Sequence, residues 1–84
     1  MRPSPYRYSV YGTPALSEHT SPTVRSSTQR TLTDGNTVYL TCQAAGSDVH
    51  GSTLWDKLTN GGWIPDYFVD TSNVGTFSYP VPPC

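Results

Sequence analysis

The sequence predicts an all-β protein, a small barrel of short antiparallel strands with one 3₁₀ turn, stapled by a disulfide. Three observations carry this expectation. Short stretches of apolar–polar alternation recur about every ten residues with glycine turns between them, as in small sandwiches and barrels. Hydrophobic residues make up 35% of the chain and charged residues 13%, and the Ser, Thr, Gly and Pro that fill the difference suit strands and turns rather than long helices. Two cysteines, Cys42 and Cys84, are placed to close a long loop.

At 84 residues the chain is one domain. A domain of this size buries only about 60% of the surface its unfolded chain exposes, so a covalent staple is useful. Pairing Cys42 with Cys84 closes a loop of 84 − 42 = 42 positions. On the chain-entropy argument such a loop contributes about 4 kcal/mol. A buried free Cys42 with an incidental, added Cys84 is the alternative. A disulfide implies an oxidising, secreted location. With no CxxC or Cys/His spacing, neither a metal nor another cofactor is expected.

The net charge is −1, so no basic field attracts nucleic acid. No apolar run approaches the ~20 residues of a membrane span, and membrane insertion is not expected. The opening residues lack the apolar core of a signal peptide. Met1, the only methionine, is then expected to be an initiator placed before a processed chain, with a natural cytosolic start as the alternative. A monomer is expected.

The elements follow in order. Residues 1–9 form an extended arm, with Tyr6, Tyr8 and Val10 alternating as one face of a strand would. Residues 10–70 form the barrel. Residues 17–31 are polar, contain Pro22 and read as a long connection. After the Asp34-Gly35 turn the clearest strand places Val38, Leu40 and Cys42 toward the core and Tyr39 on the other face. Residues 45–52 read as a Gly/Ser/Asp loop, and "TLWDKL" as the next strand. Asn60-Gly61-Gly62 is a hairpin turn needing positive φ, and "WIP" is a short strand ended by Pro65. "DYFVD" reads as a single 3₁₀ turn capped by Asp66, with Phe68 or Val69 inward. The tail, residues 71–84, is Pro-rich and returns in extended form toward Cys42. The expected core is Val38, Leu40, Leu54, Leu58, Ile64 and Val69.

The run from Leu16 to Pro22, then "TLTDGNTVYLTCQAAG", then "LWDKLTNGGWIPDYFV" resembles a bacterial SH3-like domain. Gly35, Val38 and Leu40 match that family's second strand, and Trp55 and Leu58 its third. Gly62, Trp63 and Ile64 match its fourth, and Phe68 and Val69 its closing turn. The match covers about residues 10–70 and is weak before Thr31, where Glu18 and His19 replace the usual Val and Arg. The cysteine in the second strand resembles versions in secreted proteins of actinobacteria. The resemblance implies an SH3-like barrel of about five to six strands with a long first loop at residues 18–30. It also implies a non-catalytic role in holding peptidoglycan or a cell-wall peptide.

Catalysis is not expected from the residues themselves. His19 and His50 fall in expected loops, and a disulfide-bonded Cys42 is no nucleophile. Asp66 and Asp70 are spaced for turn capping more than for paired acid–base work. The ten aromatic residues (2 Trp, 6 Tyr, 2 Phe) are the better lead, because a barrel this small cannot bury them all. Trp63, Tyr67 and Trp55, joined by Tyr39, are expected to line a groove against the 18–30 loop, where Glu18 and His19 offer charge or hydrogen bonds. Alternatively Trp55 plugs a barrel end and Trp63 alone stays accessible. Two partners fit this surface: a cell-wall peptide of peptidoglycan, or a secreted protein met by an inhibitor, toxin component or assembly subunit.

Overall fold

The computed structural model describes residues 6–71 and 81–84. Six strands make one sheet: β1 (Tyr6–Ser9), β2 (Leu16–His19), β3 (Thr28–Leu32), β4 (Thr37–Val49), β5 (Ser52–Leu58) and β6 (Trp63–Pro65). A 3₁₀ turn, Asp66–Phe68, follows. The strand order is β1-β4-β5-β6-β2-β3, and each neighbouring pair is antiparallel. The sheet curls into a half-barrel around Val10, Leu16, Leu32, Val38, Leu40, Leu58, Ile64, Val69 and Val81. The expected all-β fold with one 3₁₀ turn and a Cys42–Cys84 disulfide is therefore present.

Every residue of the expected core is buried. Leu54 is enclosed too, although it lies outside the main cluster. β5 is shut in on both faces, with Leu54, Trp55 and Asp56 consecutively buried, because it is central in the sheet and covered by a loop on its outer side.

Four expectations need correction. The sheet starts at Tyr6 rather than at residue 10: β1 pairs with β4 in the register Tyr6↔Leu40 to Ser9↔Thr37. Residues 18–30 are not one long loop, because β2 and β3 pair there, with Glu18 opposite Arg30. Residues 45–52 are not a loop either. β4 runs on to Val49 and meets Ser52 across a His50-Gly51 turn, with φ of 52° and 87°. Positive φ at both central residues gives the primed turn whose twist matches a hairpin.

The fourth correction concerns Cys42. The β4–β5 register slips between Leu40 and Cys42, so that Thr41 and Cys42 together stand against Lys57. The extra residue inverts the side-chain alternation. Gln43 takes the buried position expected for Cys42, and Cys42 is only half-buried. From there it bonds Cys84, with Cα atoms 4.8 Å apart. Gln43 N–H donates to Pro82 O at 2.9 Å and Cys84 N–H donates to Gln43 O at 2.8 Å, which lays the end of the chain along β4 in parallel fashion. The middle of the expected polyproline-like return, residues 72–80, lies outside the described residues.

Candidate functional site

The two tryptophans take different positions. Trp55 is fully buried on the outer side of β5. Its Nε1–H donates to Ser47 O at 2.8 Å, and His19 meets it edge-on at 5.6 Å. The loop of residues 20–27 is fastened over it: Ser47 N–H donates to Pro22 O, and Val24 N–H to Ser47 Oγ. Gly46 permits this close approach. A Cβ there would run into Pro22 O and stand 2.8 Å from Trp55 Cδ1. Trp63, on β6, is half-buried, with Lys57 Nζ 5.7 Å from its ring centroid. Trp55 thus serves structure, and Trp63 keeps a partly accessible face beside a cation.

Glu18 and His19 lie on a strand, not in a loop. The Glu18 carboxylate is fully buried and accepts hydrogen bonds from Arg30 Nε, Gln29 Nε2 and Asn60 Nδ2 at 2.6, 2.6 and 2.9 Å. Enclosed by three donors, it ties β2, β3 and the β5–β6 turn together and faces no open surface. Gly61 has the positive φ that the turn requires, 87°. Gly62 is needed for space, since a Cβ there would strike the Glu18 carboxylate. His19 Nδ1–H donates to Ser26 O at 3.0 Å, which makes His19 a support for the same loop. Tyr39 is 45% exposed on β4, opposite Arg7 of β1.

Tyr67 belongs to a separate, open cluster. Tyr11, Gly12, Tyr67 and Phe68 line a shallow concavity of about 270 Å³. His50 stacks on Tyr67, with centroids 4.9 Å apart and planes inclined by 26°. Phe68 stands nearly perpendicular to both, at 85° to Tyr67 and 88° to His50. The result is a flat double ring with an upright wall. Its base is sewn to the sheet: Tyr11 N–H donates to Phe68 O, Val10 bridges to Val69, and Asp70 N–H donates to Ser9 O. Tyr11 is 44% exposed and Tyr67 39%.

The expected groove therefore divides. Trp63 and Tyr67 sit among different neighbours, while Trp55 and Glu18 are enclosed. Phe68 or Val69 was expected to point inward, and the buried position belongs to Val69. Tyr11 and His50 did not stand out in sequence because they are distant along the chain from Tyr67. Two signals for them existed. Tyr11 follows the inward Val10 and so faces outward, and His50-Gly51 has the form of a two-residue hairpin turn.

Asp66 does not cap the 3₁₀ turn; Pro65 holds the N-cap position with no side-chain bond. Its carboxylate is buried instead, accepting from Thr71 Oγ1 at 3.0 Å and from Gln43 Nε2 at 3.1 Å. Nor does it pair with Asp70, whose Oδ1 accepts from Ser9 N–H. Its neighbour is the equally buried Asp56, which accepts from the same Gln43 amide at 2.8 Å. Burial, together with a hydrogen bond to Asp66 and that residue's charge, pushes Asp56 up to about 9. Tyr8 is raised as well, by burial first and then by the charges of Asp56, Asp70 and Asp66. Among the described residues, no three His, Cys, Asp or Glu side chains gather into a metal-holding group. No helix among them is long and apolar enough to cross a membrane.

No family model matches the chain, and no curated protein is similar to it at a significant level.

Proposed function

We propose that the protein is a non-catalytic, secreted binding module that holds a cell-wall peptide of peptidoglycan against its exposed aromatic surface. The observation that carries this reading is the concavity of Tyr11, Tyr67 and Phe68, backed by the His50 ring. Rigid aromatic rings on a fixed backbone offer contact area with little conformational entropy to lose, as suits anchoring a small segment of ligand. The concavity is slightly smaller than the roughly 300–1,000 Å³ of a drug-sized pocket, so it fits one or two residues of a longer chain.

The wall peptide comes from the resemblance of "LWDKLTNGGWIPDYFV" to bacterial SH3-like domains. The disulfide favours the secreted location. Against catalysis stand the bonded sulfur of Cys42 and the enclosure of Asp56 and Asp66.

Sedimentation with purified cell walls tests the proposal. The wild-type protein is expected in the pellet, and Tyr67→Ala in the supernatant. Failure to pellet with any wall, together with capture of one defined secreted protein through the same tyrosine, would replace this reading with that of a protein-interaction factor.

A further inference from the structure

Two carboxyl groups lie enclosed within the fold. Asp56 on β5 and Asp66 in the 3₁₀ turn are both fully buried, and one amide, Gln43 Nε2, reaches an oxygen of each. Two carboxylates within the span of one amide group cannot both stay ionised cheaply out of water. Asp56 Oδ2 is sealed from solvent and accepts no hydrogen bond from the described residues. A proton on that carboxyl removes one charge and supplies a donor toward Asp66.

Among the described residues, groups from three elements face the pair. Tyr8 faces it from β1, Gln43 from β4, and Thr71 from the segment after the 3₁₀ turn. None of these described groups is a cation. Lys57, next along β5, is turned to the other face over Trp63. Burial and the nearness of the two acids favour a proton on Asp56 over a second negative charge.

Gln43 also carries the end of the chain. Its side chain bridges the two acids, while its main chain bonds Pro82 and Cys84. We propose that Asp56, enclosed beside Asp66, keeps a proton on its carboxyl, and that this proton latches residues 81–84 onto β4, so that its loss in alkaline solution loosens the segment while the disulfide keeps it tethered.

The upward shift of Asp56 to about 9 agrees in direction. An unfolded Asp ionises near pH ~4, so between there and about 9 the folded chain holds the extra proton. The stabilisation is full below about pH 4 and is lost as pH rises through the folded value, the reverse of ordinary acid denaturation.

Hydrogen exchange read by NMR, corrected for intrinsic base catalysis, tests the latch on the full, oxidised chain. Protection of the Gln43 and Cys84 amides should fall at least about tenfold between about pH 7 and pH 10, while the β2–β3 amides keep theirs. Asp56→Asn, a neutral isostere with its own N–H donor, should make protection of the two amides independent of pH. If that variant does not fold, Asp66→Asn serves, since it also removes one carboxyl group of the pair. Unchanged wild-type protection across this range would overturn the proposal. So would a pH dependence in the folded Asn variant equal to that of wild type, or the failure of both variants to fold.

Discussion

Glu18 and Arg30 face each other across the β2–β3 hairpin at 2.6 Å, the carboxylate sealed and the guanidinium side chain 51% exposed. The pair is asymmetric, so its two truncations differ. Arg30→Ala leaves a buried anion still held by Gln29 and Asn60. With the exposed half of the bond discounted for solvent, it should cost about 1–2 kcal/mol in urea unfolding. A cost under about 0.5 kcal/mol would show that the two amides suffice.

Gly46→Ala should destabilise by about 1–3 kcal/mol, because a methyl group there meets the Pro22 carbonyl on one side and Trp55 on the other. Since the backbone must move, the loop of residues 20–27 should lift. Trp55 fluorescence would then shift to the red. An unshifted spectrum with full stability would mean that the loop does not press on β4 in solution.

Cys84→Ser should lower stability by about 2–4 kcal/mol, measured by thermal or denaturant unfolding. It also frees the segment that shields the β4 edge beyond β1, so the reduced protein should self-associate more readily. Mass spectrometry that finds two free thiols in the native protein would count against the staple.

Tyr67→Ala should weaken wall binding by about 2 kcal/mol or more, as the loss of a central aromatic anchor does. Trp63→Ala, on another surface, should cost clearly less. The opposite order in a binding isotherm would return the site to the β5–β6 hairpin.

What could be read in the sequence was local. The β5–β6 hairpin with Gly61, the 3₁₀ turn and the first half of β4 each carry their signal within a few adjacent residues. The cysteine pairing was legible from the paucity of alternatives. β2 and β3 were missed because Glu18 occupies an inward position where alternation expects an apolar side chain; its three donors are invisible until the strands meet. The far half of β4 was missed because two register slips break its period. The aromatic concavity joins Tyr11, His50 and Tyr67, and nothing local marks three such distant rings as neighbours.

The disulfide also decides how the domain would bear mechanical load. If Tyr6 and Cys84 are drawn apart, tension passes from Cys84 through sulfur to Cys42, and residues 43–83 are bypassed. The loaded path is then the run from β1 to Cys42. Tyr6 is paired with Leu40, two positions from Cys42, in an antiparallel ladder. Force enters β1 and β4 at the same end and opens their hydrogen bonds one after another, as a zip opens, instead of shearing them all at once. The protein would yield early at β1, while β5, β6 and the 3₁₀ turn with Tyr67 carry no tension along their backbone.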